Sequence, residues 1–96
     1  MKRYYVYILL CADGTYYTGF TNDIVLRLEQ HQMGTDPKAY TARRLPVELK
    51  YVAIFSDANT AIRHEKQVKK WSKAKKEALI TENWDALVTL SKKQFE

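Results

Sequence analysis

The chain has 96 residues, 46% hydrophobic and 28% charged, with a formal net charge of +5 at pH 7. This length suits one modest hydrophobic core, so we expect a single domain over 1–96, with its core at about 3–82 and a C-terminal helical extension over 83–96. No apolar run approaches the ~18 residues that a membrane-spanning helix needs, and we predict no contact with a membrane.

Cys11 is the only cysteine in the chain. An internal disulfide and a cysteine-based zinc cluster are therefore excluded. The basic N-terminus runs directly into a tyrosine-rich alternating pattern, and no clear signal-peptide features follow it. The sequence thus predicts a cytoplasmic protein.

The chain opens with two predicted strands. Residues 3–11 alternate with largely apolar side chains on both faces, which is typical of a strand covered on both sides. Asp13-Gly14 is a hairpin signal, and Thr15–Phe20 is a second strand rich in threonine and aromatic residues.

The length of this hairpin loop decides where Tyr7 and Tyr17 point. A two-residue turn at 13–14 places the two phenols on opposite faces of the sheet. A three-residue loop at 12–14 places them on one face and pairs Tyr7 with Gly19, whose missing side chain leaves space beside the ring. The residues alone leave both loops open.

The rest of the chain alternates between helical and extended patterns. The predicted elements are a helix at 23–33 closed by Gly34, a strand at 47–55, helices at 58–71 and 73–81, and a short helix at 83–90. The order is β-β-α-β-α-α. This order predicts an α/β fold of the α+β type, a small sheet with helices packed on it.

The positive charge is concentrated at Arg43-Arg44 and among the lysines of 66–76. Such clusters are typical of proteins that bind phosphate backbones. The candidate nucleic-acid-binding residues are Arg43, Arg44, Lys69 and Lys73. A solvated lysine face that serves only solubility explains the same composition equally well.

Glu65 stands on the inward face of the helix at 58–71, three residues from both Ile62 and Val68. A carboxylate seldom takes such a position unless a cation, a metal or hydrogen bonds compensate its desolvation. The alternative is a wetter helix edge on which Glu65 pairs with a nearby lysine.

Arg27 and His31 lie one turn apart and border the apolar stripe of the first helix. Arg27 either pairs with Asp23 at the surface, which contributes a few tenths of a kcal/mol at most, or leans toward the sheet and presents its donors to a phosphate. A single histidine in the position of His31 is more often a packing residue than a catalytic base.

Two short motifs and two helices resemble the GIY-YIG nuclease family. The first family motif corresponds to Val6–Ile8 and the second to Tyr17–Gly19. The spacing of Arg27 and His31 after the second motif follows the family pattern, and the later helix is similar to the segment that carries the family's metal-binding glutamate, here Glu65. More narrowly, the chain resembles the small stand-alone bacterial branch of the family.

The resemblance implies a three-stranded antiparallel sheet flanked by helices, and hydrolysis of phosphodiester bonds with one Mg²⁺ or Mn²⁺ ion. By this correspondence Glu65 holds the metal, Tyr7 is the general base and Tyr17 orients the water or the phosphate. Arg27 stabilises charge on the phosphoryl oxygens, and His31 supports the site by hydrogen bonding.

The sequence departs from the family pattern at two positions. Val6 replaces the glycine of the first motif. Many family nucleases have an asparagine about twelve residues beyond the glutamate, where this chain has Glu77, and its nearest asparagine is Asn83.

The first functional hypothesis is therefore a metal-dependent DNA endonuclease, a hydrolase acting in DNA repair or on structured or damaged DNA, monomeric by default. The alternative is a non-catalytic nucleic-acid-binding module on the same fold. A third reading is an interaction module whose lysines serve solubility.

Overall fold

The computed structural model describes residues 2–34 and 39–82, and the elements follow the predicted order. They are β1 (Tyr4–Leu10), β2 (Tyr16–Thr21), α1 (Ile24–Met33), β3 (Glu48–Phe55), α2 (Ala58–Lys69) and α3 (Lys73–Ile80). The strands form one antiparallel sheet in the order β2-β1-β3. The predicted α+β fold is thus confirmed, and the predicted helix at 83–90 lies outside the described residues.

The helix boundaries follow from their caps. The side chains of Asp23, Asp57 and Ser72 each accept a hydrogen bond from a backbone N–H in the first turn of α1, α2 and α3, which satisfies a donor that has no partner within the helix. Gly34 ends α1 in the left-handed region at φ 60°. The helix α2 ends at Lys69, two residues before the predicted end, because Ser72 begins α3.

The hairpin between β1 and β2 has the three-residue loop. Cys11 N–H donates to the carbonyl of Thr15 at 2.8 Å, and Gly14 adopts φ 83° in the left-handed region, which glycine reaches without steric penalty. The resulting register pairs Tyr7 with Gly19. The register that the nuclease resemblance requires is therefore present.

The sheet separates two packed layers. On one face Tyr7 and Leu9 pack with Ile24 and Leu28 of α1. On the other face Ile8 packs with side chains of α2 and α3. Because β1 is the central strand, it is covered on both sides, as its sequence predicts. No helix of the described chain is long and apolar enough to cross a membrane.

Candidate active site

The side chain of Tyr7 lies over Gly19, the one residue of β2 without a side chain. It is 1% exposed, and a methyl group at Gly19 would overlap the ring and hydroxyl atoms of Tyr7. The antiparallel register places this glycine directly opposite the tyrosine. The second motif therefore needs its glycine because the phenol of the first motif occupies that space.

The Tyr7 hydroxyl is hydrogen-bonded to α1. It lies 2.9 Å from Nε2 of His31, and Nδ1 of the same ring lies 2.7 Å from Oγ1 of Thr41. All three side chains are buried. Thr41 was not identified from the sequence, because it lies in a segment without a periodic pattern.

Burial sets the protonation of this hydrogen-bonded chain. It lowers the pKa of His31, and the nearby Arg27 lowers that pKa further, so the imidazole is neutral at neutral pH. Burial also raises the pKa of Tyr7 strongly, and Tyr17 and Glu65 raise it further while Arg27 opposes them. A neutral histidine therefore faces a protonated phenol.

A cleft of about 400 Å³ opens beside the hydrogen-bonded side chains of His31 and Thr41, and we call it the first cleft. Its lining includes Tyr17, Arg27, His31, Tyr40 and Thr41. Arg27 and His31, the two residues of α1 that were predicted to be catalytic, thus lie in one cavity with Tyr17 of the second motif.

Arg27 is exposed in the first cleft. It forms no ion pair with any residue in 2–34 or 39–82. The alternative pairing with Asp23 is absent, because the Asp23 carboxylate accepts a hydrogen bond from the N–H of Leu26 at 3.1 Å instead. The guanidinium is thus available to an anion from solution.

Tyr17 belongs to an aromatic cluster. Its ring centroid lies 6.3 Å from that of Tyr7 and 5.2 Å from that of His31, and it stacks on Tyr40 at 6.0 Å. The guanidinium of Arg44 covers the Tyr40 ring at 3.8 Å. Tyr40 was also missed from the sequence, since nothing in its own segment indicates that it meets β2.

Glu65 approaches from the opposite layer of the fold. Its side chain is 15% exposed, and its Oε1 lies 3.6 Å from Nζ of Lys69 one turn later. The carboxylate is largely buried, as an inward-facing position predicts, and it pairs with a lysine, as the alternative predicts. Glu65 does not line the first cleft, but it lies close enough to raise the pKa of Tyr7.

The carboxylate of Glu65 fits a magnesium ion as a single protein ligand. The described part of the chain contains no group of three or more side chains of the types that bind metals. Mg²⁺ needs no such group, because it keeps several waters and takes further oxygens from a substrate phosphate. A hard oxygen donor close enough to raise the pKa of Tyr7 suits that mode of binding.

The four predicted basic residues differ in their surroundings. Arg44 is held at 3.0 Å by Asp13 and at 2.6 Å by the carbonyl of Tyr40, so it ties this segment to the hairpin loop. Arg43 and Lys73 are exposed, and Lys69 pairs with Glu65. Arg43 is therefore accessible to a phosphate, the Nζ of Lys73 lies 5.9 Å from the centre of the Tyr16 ring at the surface, and Arg44 also holds the fold together.

The two departures from the family pattern have local consequences. Val6 is fully buried in the sheet, so the side chain that replaces a glycine packs in the core. Glu77 is exposed and accepts a hydrogen bond from the hydroxyl of Tyr16 at 3.4 Å. Asn83 lies outside the described residues.

The comparisons identify the family. The family model of the GIY-YIG catalytic domain matches residues 3–78. A UPF0213 protein of Lacticaseibacillus paracasei is 43% identical over 82 residues, covering 85% of this chain and 91% of the relative. A UPF0213 protein of Halobacterium salinarum is 43% identical and is covered to 99% of its length. The chain belongs to the GIY-YIG family, and its relatives are small UPF0213 proteins.

Two solved structures share the fold. The solution NMR structure of a UPF0213 protein from Bacillus halodurans is 40% identical, with a TM-score of 0.54 over 82% of this chain and 83% of that one. The solution NMR structure of a protein from E. faecalis is 34% identical, with a TM-score of 0.58 over 88% of this chain and 90% of that one. The GIY-YIG nuclease domain supports a nuclease-like role with a nucleic-acid substrate.

Proposed function

We propose that this protein is a divalent-metal-dependent endonuclease that hydrolyses phosphodiester bonds in DNA. The observation that carries the proposal is the first cleft, where Tyr17, His31 and an unpaired Arg27 meet above the buried hydroxyl of Tyr7. A cation without a protein partner beside a chain of titratable groups is an arrangement suited to a phosphate ester.

Arg27 binds the scissile phosphate in this proposal. Its guanidinium has parallel donors that match two phosphate oxygens, and no carboxylate of the described chain competes for them. Charge that develops on the phosphoryl oxygens during hydrolysis is stabilised where the donors already stand.

Tyr7 and His31 together accept the proton of the attacking water. The raised pKa of Tyr7 means that a free phenolate is scarce at neutral pH. The phenol takes the water proton as its own proton passes to Nε2 of His31, 2.9 Å away. The imidazolium then donates from Nδ1 to Oγ1 of Thr41, 2.7 Å away. This relay needs no phenolate in the resting enzyme.

Glu65 would hold the metal ion, after release of its ion pair with Lys69. A bound divalent ion supplies positive charge that polarises the phosphate and lowers the pKa of a coordinated water. The chain's own contribution is to present one carboxylate from α2 near the phenol of β1.

Two observations favour the second candidate, a DNA-binding module that does not cut. Glu65 is already paired with Lys69, and Glu77 stands where many family nucleases have an asparagine. Both features weaken the case for efficient catalysis, whereas the basic surface serves binding alone.

The test is cleavage of supercoiled plasmid and branched DNA by purified protein with Mg²⁺ or Mn²⁺. We expect cutting by the wild type, loss of at least a hundredfold in rate with Arg27→Ala, and no loss with Arg63→Ala, a matched exposed arginine on α2. DNA binding without cutting under all metal conditions would select the binding module.

A further inference from the structure

A second cleft of about 350 Å³ lies next to the first. It shares Tyr17 with the first cleft and borders Glu65 through Lys69, but its residues Thr18 and Lys76 have no role in the catalysis proposed above. Its lining residues are Tyr16, Tyr17, Thr18, Tyr40, Lys69 and Lys76. The stacked pair of Tyr17 and Tyr40 lines both clefts. The two cavities therefore share an aromatic wall.

Thr18 brings an unsatisfied polar atom to the second cleft. The residue is 2% exposed, and its Oγ1 is the one buried side-chain atom of 2–34 and 39–82 without a hydrogen-bond partner. A buried hydroxyl left unpaired destabilises a fold. A ligand that accepts its proton would remove that penalty.

Lys76 brings an amino group without a partner among the described residues to the same place. It is 8% exposed and forms no ion pair or hydrogen bond with a residue that the structure describes. Lysine is almost never buried to this extent without a partner. Burial lowers the pKa of Lys76, and the neighbouring Lys69 lowers it further. Lys76 thus lies close to Lys69, and the only carboxylate of the described residues that pairs with either lysine is Glu65.

We propose that the second cleft binds a phosphate of the nucleic-acid strand, adjacent in the strand to the phosphate held in the first cleft. Thr18 Oγ1 and Lys76 Nζ donate to its oxygens, and Lys69 adds charge at the rim. This inference rests on the proposed nucleic-acid substrate but requires no cleavage.

The shared wall favours a strand over a free phosphate. A polynucleotide bound in the first cleft continues past Tyr17 and Tyr40, whose rings are stacked at 6.0 Å. Aromatic side chains bordering a basic groove are typical of single-strand binding. Here the strand passes along the ring edges, because Tyr17 and Tyr40 stack on each other and Arg44 covers the Tyr40 ring at 3.8 Å. A free anion would need no such continuity between the clefts.

The test measures the affinity for a fluorescein-labelled single-stranded oligonucleotide by anisotropy, in EDTA, over a range of salt concentrations. Lys76→Met keeps the packing of the aliphatic stem and removes the charge. The matched control is Lys66→Met, on an exposed lysine of α2 that lines neither cleft. We expect Lys76→Met to weaken binding about tenfold, as loss of a charge-assisted hydrogen bond does. The slope of log K against log salt should fall by about 0.7, one phosphate contact on a single strand.

Thr18→Val is the second variant, since it removes the hydroxyl and keeps the shape. We expect weaker oligonucleotide binding together with a Tm equal to or above that of the wild type, because no hydrogen bond of the free protein is lost. Lys76→Met should show the same combination. A purely structural role for these side chains would lower the Tm and leave the affinity of the folded protein unchanged, which contradicts the proposal.

Two further outcomes separate the alternatives. Affinity and salt slope equal to those of Lys66→Met in both cleft variants would overturn the second phosphate site. Binding of inorganic phosphate that is lost in Lys76→Met and Thr18→Val, with an oligonucleotide affinity unchanged in both variants, would show a free-phosphate site and overturn the assignment to a strand. If the wild type binds the oligonucleotide more tightly than Lys76→Met and Thr18→Val do but never cuts DNA, the endonuclease proposal fails and the second phosphate site stands.

Discussion

The hydroxyl of Tyr7 and Nε2 of His31 lie 2.9 Å apart, and this contact joins the central strand to α1 inside the core. Twenty-four residues separate the two in the chain. Each is buried, so the hydrogen bond both stabilises the fold and fixes the phenol beneath the first cleft. The first four predictions concern the two ends of this contact.

Replacing Tyr7 by Phe removes this hydrogen bond. We expect a loss of about 1–2 kcal/mol in the free energy of unfolding, because Nε2 of His31 is left without a partner. DNA cleavage should fall at least a hundredfold. Urea denaturation and plasmid cleavage measure the two effects.

The chain contains a matched control for that change. Tyr51 bonds to Nε2 of His64 at 3.2 Å, between the sheet and α2. Tyr51→Phe removes a similar contact between two residues that do not line the first cleft, so it should lower stability comparably and leave cleavage within twofold of the wild type. Equal activity in the two variants would remove Tyr7 from the chemistry.

Gly19→Ala tests the space that Tyr7 occupies. The added methyl group overlaps the phenol, so the ring must move, and we expect a destabilisation of about 1–3 kcal/mol. In the Tyr7→Leu background the overlapping atoms are gone, and Gly19→Ala should lower the free energy of unfolding much less. A double-mutant cycle by urea denaturation measures the difference. Additive effects would mean that the two positions do not compete for space.

Stability should fall as the pH is lowered below about 6.5, the ordinary pKa of histidine. Burial lowers the pKa of His31 and of His64 in the folded protein. The unfolded chain therefore binds more protons between the folded pKa and 6.5, and the stability of the fold rises with pH across that window. Urea titrations from pH 5 to 8 measure this slope, and each of His31→Gln and His64→Gln should reduce it.

The rate of DNA cleavage distinguishes the role of His31 from that of His64. The relay requires a neutral His31, so the rate should fall on the acid side as that imidazole gains a proton. His31→Gln should abolish cutting, while His64→Gln should retain both the rate and the acid limb. An acid limb that persists in an active His31→Gln protein would contradict the relay.

Much of the fold could be predicted because its signals are local. Hydrophobic periodicity gave the element order, and Asp23, Asp57 and Ser72 marked the helix starts. The hairpin register could not be chosen from residues alone, since Asp13-Gly14 suits a two-residue turn as well as a three-residue loop. The structure resolves it through the left-handed Gly14 and the hydrogen bond between Cys11 and Thr15.

The residues of the candidate site could be predicted from the sequence only where they belong to the family motifs. Thr41 and Tyr40 complete the first cleft from a segment without periodicity, so only tertiary contact reveals them. The burial of Lys76 was hidden within a lysine-rich helix that reads as solvated. Sequence charge alone does not distinguish a lysine whose whole side chain is in water from one that is largely buried, as Lys76 is.

The most direct test of the central claim is the rate of plasmid cleavage in Mn²⁺ by the wild type, Glu65→Gln and Glu48→Gln. Glu48 is an exposed carboxylate on β3 that also pairs with a lysine, Lys50 at 3.0 Å, so its variant controls for loss of a charge pair. We predict metal-dependent cutting by the wild type and Glu48→Gln, and loss of cutting by at least a hundredfold in Glu65→Gln. Cutting by Glu65→Gln at the wild-type rate, or none by the wild type, would contradict the proposed nuclease.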